Sequence, residues 1–251
     1  MKVAISQPTY LPWLGYLDLI DQVDTFVFLD TVQFEKRSWQ QRNRIKAVGG
    51  LSLLTVPVVV KGRFKQSIRD VEIESPYFVR KHLRSIETSY RRSPFFGRYF
   101  TEFAGILETH ATRLHLADLN IHLIQWLCGV LGIKKPLIRS SEIDQKGSRS
   151  ELLLNICRAL NAQSYLSAVG SADYLVSEVP QFSAAGVEVL FQHYEHPLYR
   201  QQFPPFCSHT SALDLIFNEG DRSLEILRSG RKAPLHPAEV RLDEKQEVAG
   251  A

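Results

Sequence analysis

Apolar and polar positions change their period twice along the chain. Lys2–Ser6 (KVAIS) is a short apolar run, long enough for a buried strand and too short for a helix. Pro8, Pro12 and Gly15 follow at once and stop it. Leu14, Leu17, Asp18, Leu19, Ile20 and Asp21 then predict a helix with mixed faces, and Val23–Leu29 a second buried strand ending at Asp30. Strand, helix and strand make a βαβ unit, which implies parallel pairing and a right-handed crossover. Leu51–Val60 predicts a further strand that Pro57 kinks or confines to an edge, and Val71–Glu74 a short, half-exposed one.

From Tyr77 to Gly132 the period becomes helical. Phe78, His82, Ile86 and Tyr90 mark one helix; Phe100, Phe103, Ile106 and Leu107 a second; Leu119, Leu123, Trp126, Leu127 and Val130 a third. Strands return at Pro136–Arg139, Ser164–Val169 and Val187–Phe191, with a helix carrying Leu152, Leu153, Ile156 and Leu160 between the first two. Ser211–Phe217 and Ser223–Ser229 predict short closing helices. The expected fold is α/β: a Rossmann-like, mostly parallel sheet with a helical insertion at about 77–132. Residues 1–230 are expected to form one domain and 231–251 a flexible C-terminal tail.

Composition refines this only in part. With 251 residues and 44% apolar content the chain can bury a core, and a net charge of +3 does not imply a nucleic-acid protein. The charge is uneven, however. Lys36, Arg37, Arg42, Arg44, Lys46, Lys61, Arg63, Lys65 and Arg69 follow one another with no acid between them. That run suits a phosphate, carboxylate or nucleotide ligand, or is a solvated basic face. Cys128, Cys157 and Cys207 show neither disulfide nor metal-ligand spacing, and neither do His110, His115 and His122, so no metal is expected. A reducing cytoplasm fits, with no signal peptide and no membrane span.

Candidate chemistry collects beyond the strand ends, where ligands gather in open α/β sheets. The first exit offers Gln7, Tyr10, Trp13 and Gly15; the second offers Asp30, then Gln33, Arg37, Trp39, Arg42, Asn43 and Arg44. Arginine presents a donor fork to anions, amides read paired donors and acceptors, and Trp13 or Trp39 could lie under the apolar face of a sugar. Asp30 is the leading candidate base. Ser140-Ser141 and Gly170 close two later strands and could bind substrate, or serve as ordinary turns. Gln192–Tyr199 holds two histidines, a glutamate and two tyrosines. His193 or Glu195 would assist proton transfer if the last strand lies beside the first, with Tyr199 contacting substrate.

These residues resemble the WbqC-like family. The resemblance is carried by Gln7-Pro8, Tyr10-Leu11-Pro12, Gly15-Tyr16, Val27-Phe28-Leu29-Asp30, Gln33-Phe34, Arg37, Trp39 and Arg42-Asn43-Arg44, and continues through Tyr90, Pro94-Phe95-Phe96, Ser140-Ser141, Ala162–Tyr165 and Gly170 to Phe191, Tyr199, Phe206, Ser211 and Asp214. Genes of that family lie in bacterial clusters for O-antigen, lipopolysaccharide and other surface polysaccharides, so the resemblance implies a part in glycan biosynthesis. A looser likeness is to pantothenate synthetase and the nucleotidylyltransferases, whose His-x-Gly-His turn corresponds here to Trp13-Leu14-Gly15-Tyr16. The glycine is kept and both histidines are missing, which speaks against adenylyl transfer in that style.

The first expectation is therefore a transferase moving an acyl or aminoacyl group onto a nucleotide-linked or amino sugar. Its ligand would be anionic, such as a nucleotide sugar or an acyl donor, and any cofactor a nucleotide or nucleotide-linked donor. The alternative is a non-catalytic binding or scaffold protein of glycan assembly. A nucleic-acid binder using the basic run is the third and weakest reading.

Overall fold

The structure is a computed structural model that describes residues 1–112, 115–144 and 146–240. In chain order its elements are β1 (Lys2–Ser6), α1 (Leu14–Asp21), β2 (Thr25–Phe28), β3 (Arg42–Ala47), β4 (Gly50–Thr55), α2 (Phe78–Tyr90), α3 (Phe96–Ala111), α4 (Leu116–Leu131), β5 (Leu137–Arg139), α5 (Arg149–Ala159), β6 (Ser164–Ser167), α6 (Ala172–Leu175), α7 (Val179–Ala184), β7 (Glu188–Phe191), α8 (Ala212–Glu219) and α9 (Ser223–Ser229). Five strands form one sheet in the order β5-β2-β1-β6-β7, every neighbouring pair parallel. The chain steps outward from β1 to β2 and β5, then crosses to β6 and β7 on the other side. Direction reverses between β1 and β6, the place where such sheets open a crevice at their carboxyl ends.

Strand alternation assigns the two faces. Ala4, Phe26, Phe28 and Leu166 enter one core with α1–α4, α8 and α9; Val3, Ile5, Val27, Tyr165 and Val189 enter a second with α5–α7. Strands covered on both faces read as unbroken apolar runs, which is why the sequence displays them. The helices of 77–132 share the first core with the sheet.

Four expectations are corrected. Arg42-Asn43-Arg44 belongs to β3, paired antiparallel with β4 in a separate hairpin. The strand expected over Leu51–Val60 ends at Thr55, before Pro57. Val71–Glu74 makes only single bridges, Val58 with Ile73 and Glu72 with His115. α1 has no solvent face: all eight of its residues are buried, Asp18 and Asp21 included. Residues 241–251 of the expected tail lie outside the described residues.

The buried acids of α1 are paired. Arg228 grips Asp21 with Nε and Nη2 at 2.8 and 2.9 Å, and Arg231 donates Nε to Asp18 at 2.8 Å while also reaching Asp21. Gln22 and Gln192 donate to the other Asp18 oxygen at 2.6 and 2.8 Å. Burial still pushes the Asp18 carboxyl above its usual range. At Asp21 burial acts the same way, but the two arginines outweigh it and hold the carboxyl low. Replacing Arg231 by Met strands a buried charge and should cost about 3 kcal/mol, read by denaturant unfolding. A loss below about 1 kcal/mol, the worth of an exposed pair, would contradict the pairing.

Candidate functional site

The turn after β1 is held by buried amides. Asn43 Nδ2 donates to the Tyr10 and Leu11 carbonyls at 3.1 and 2.8 Å, and Asn120 Nδ2 to those of Pro8 and Gln40 at 3.1 and 2.7 Å. Gln40 Nε2 donates to Gln7 Oε1 at 2.8 Å, and the Tyr10 amide to the Trp39 carbonyl at 3.0 Å. The two predicted segments therefore meet, but they bond to each other instead of facing across an open gap. Leu11 sits at φ +46°, a left-handed backbone that costs a leucine energy and that the Asn43 bonds help to hold.

Several candidates are spent on structure. The Tyr10 hydroxyl is buried against His82 Nδ1 at 2.8 Å. Asp30 is wholly buried, and its carboxylate accepts from Ser140 Oγ, the Ser141 amide and Ser141 Oγ at 2.9, 3.0 and 2.8 Å, latching β2 to β5. A Cβ on Gly15 would lie 2.2 Å from the Trp13 ring, so the indole itself fills the space above the glycine. Gln33 and Arg37 are exposed, with Gln33 Nε2 bonded to the Phe64 carbonyl at 2.9 Å. Arg42 is half-buried on β3, and Gly170 is exposed in the turn beyond β6. β6 lies between β7 and β1, so the adjacency required for His193 and Glu195 is not met. His193 is half-buried and Glu195 is exposed, facing Lys232 at 3.1 Å.

What the fold does assemble is an aromatic and basic cluster at the start of α1. Gln192, just past β7, donates Nε2 to the Gly15 carbonyl and to Asp18, both at 2.8 Å. That pin lays the following segment over Trp13. The Trp13 ring stacks on His196 at 6.4 Å, tilts against His209 at 4.9 Å and meets Tyr194 edge-on at 5.7 Å. His196 and His209 are 5.2 Å apart, and Phe206 lies 5.8 Å from His196. The Arg44 guanidinium lies 5.0 Å over Trp39, and its charge acts on His209. Tyr199 borders His196 at 6.0 Å and donates its hydroxyl to buried Asp214 at 2.8 Å. Of the predicted residues, Trp13, Trp39, Arg44 and Tyr199 thus come together. His196, His209, Tyr194 and Phe206 join them from a segment with no regular period, so hydropathy could not say which side chains turn inward.

His196 has a defined tautomer. Its Nδ1 lies 3.0 Å from the Pro197 carbonyl, which can only accept, so Nδ1 carries the hydrogen. Nε2 is then a bare lone pair, buried and without a hydrogen-bond partner among the described residues. Burial, and after it the neighbouring His209, lower the His196 pKa to about 4. Arg44 Nε is likewise buried without a partner among the described residues. No described cluster of three His, Cys, Asp or Glu side chains could hold a metal ion, and no described helix is long and apolar enough to cross a membrane.

A histidine held neutral by the fold stabilises the protein above its unfolded pKa of 6.5, and that stability is lost as pH falls towards 4. Thermal unfolding of the wild type and of His196→Phe at pH 7 and pH 4.5 should show the wild type losing more. Asp18, Asp214 and the similarly lowered His82 are common to both proteins and cancel. Equal losses would mean that His196 titrates normally.

The comparisons with known proteins agree over nearly the whole chain. Rv1507c, an uncharacterized protein of Mycobacterium tuberculosis, is 37% identical over 233 residues, covering 92% of this chain and 99% of that one. No solved structure matches. The profile of the WbqC-like protein family matches residues 7–226, and the chain belongs to that family.

Proposed function

We propose that this protein is a transferase of bacterial surface-glycan or amino-sugar biosynthesis, moving an acyl or aminoacyl group onto a nucleotide-linked or amino sugar. The observation that supports this reading best is His196, whose Nε2 has no hydrogen-bond partner among the described residues and whose ring packs with those of Trp13 and His209. An acceptor amine or hydroxyl must lose a proton as it attacks an acyl carbon, and a neutral imidazole is suited to take it near neutral pH. The new bond from nitrogen or oxygen to carbon forms as the bond to the leaving group breaks. The imidazolium then returns its proton to that group. Trp13 offers a sugar ring a flat apolar face, and Arg44 offers a phosphate or carboxylate a donor fork. Family membership supports the glycan context.

Asp30, bound by three donors, is better suited to bracing β2 against β5 than to taking a proton. The base is therefore assigned to His196. The two assignments separate by mutation. A thermal-shift screen of nucleotide sugars, acyl donors and ATP should first find a ligand that stabilises the chain, by about 2.7 kcal/mol at a hundred times its dissociation constant. With that ligand, His196→Ala should lower turnover by about a hundredfold or more while keeping the ligand-induced shift. Arg44→Ala should weaken the shift. Full turnover in His196→Ala refutes this base. Binding with no turnover for any donor and acceptor pair favours the scaffold reading.

A further inference from the structure

Two loops beyond the carboxyl end of β2 build a surface that the proposed chemistry does not use. The loop of residues 31–38 and the loop of residues 60–69 are stapled together. Gln33 Nε2 donates to the Phe64 carbonyl at 2.9 Å, the Phe34 amide to that of Gln66 at 3.0 Å, and the Ile68 amide to that of Val32 at 2.9 Å. Gln66 Nε2 reaches back to the Val59 carbonyl at 3.0 Å, and Gly62 turns the chain at φ +74°. This bonded turn displays Phe64 with 84% of its surface exposed, between Arg63 and Lys65.

The two stapled loops carry six cations, Lys36, Arg37, Lys61, Arg63, Lys65 and Arg69, all exposed. The carboxylates on these loops or just after them are Glu35, Asp70 and Glu72; Glu72 faces Arg63 at 2.8 Å and Asp70 faces Arg69 at 3.6 Å. Lys36, Arg37, Lys61 and Lys65 have no ion pair among the described residues. The patch has a surplus of three positive charges, equal to the net charge of the whole chain.

We infer that this patch docks the protein on an anionic lipid bilayer, with Phe64 entering the headgroup region and the four unpaired cations resting on lipid phosphates. A protruding phenylalanine flanked by lysines matches the two signals of an interfacial anchor, an apolar wedge and a polybasic collar. One aromatic ring is a poor match for single-stranded nucleic acid, whose successive bases need a row of stacking platforms. The Arg69 amide donates to the Asp30 carbonyl at 2.9 Å, which fixes the patch on the carboxyl edge of the sheet. Docking would turn that edge, and the cluster around Trp13, towards the membrane surface. The inference does not depend on the transferase reading.

The test is flotation of the full chain with vesicles. Vesicles of about one-third phosphatidylglycerol in phosphatidylcholine should bind at least about tenfold more protein than pure phosphatidylcholine, and about 0.5 M salt should remove the difference. Lys61→Glu with Lys65→Glu should reduce binding about tenfold or more. Phe64→Ala should reduce it several-fold, and Phe64→Trp should bind and shift its fluorescence to the blue. These loop variants should keep the wild-type melting temperature. Equal binding to both vesicles, or unchanged binding by Phe64→Ala, overturns the inference. So does capture by poly(U) RNA without capture by vesicles.

Discussion

A carboxylate with no access to water, Asp18, decides where the segments that follow β7 and α9 must lie. It sits on α1, the helix of the first crossover, and its oxygens are met by Gln22, by Gln192 beyond β7 and by Arg231 beyond α9. A buried charge is tolerated only when it is paired and its lone pairs are met. Partners more than 170 residues away are therefore part of the opening helix's stability. Gln192 bonds the Gly15 carbonyl as well, so the segment leaving β7 must pass over the start of α1. His196 comes to rest on Trp13 for that reason, and the same requirement that stabilises the crossover assembles the cluster.

The cluster has a consistent electrostatic logic. Burial keeps His196 neutral, and the Pro197 carbonyl fixes which nitrogen holds the hydrogen. Arg44 lies beside His209 and, after burial, lowers its pKa too. One cation, two imidazoles with lowered pKa values and several aromatic faces stand together here, and these are the groups that the proposed function draws on. The neighbouring layer is braced separately: Tyr199 and Gln201 donate to Asp214 at 2.8 and 2.7 Å, and Gln201 also bonds both backbone polar groups of Cys207.

Much of the fold is legible in the sequence because its strands are covered on both faces. KVAIS, TFVF and EVLF read as apolar runs, and the three central helices announce themselves by period. β3 (RNRIKA) is not legible, since its buried positions include Asn43 and Lys46. Asn43 is buried to hold the turn carbonyls, and Lys46 Nζ to bond the Pro205 carbonyl at 2.6 Å. Hydropathy scores such residues as solvent-facing. The amide-rich segment looked like a reader of ligand atoms because backbone carbonyls and ligands need the same donors. Trp13, Trp39, Arg44 and Tyr199 could be named from residue type and strand-end position. The choice of His196 over His193 could not, because it follows from the Gln192 pin and from no local pattern.

The most direct test is the state of the His196 ring, read by long-range proton–nitrogen NMR of histidine-labelled protein across a pH titration. The expected result is a hydrogen on Nδ1, an unprotonated Nε2 at neutral pH, and no protonation until pH approaches about 4. A hydrogen on Nε2, or protonation at the ordinary value of 6.5, would contradict it.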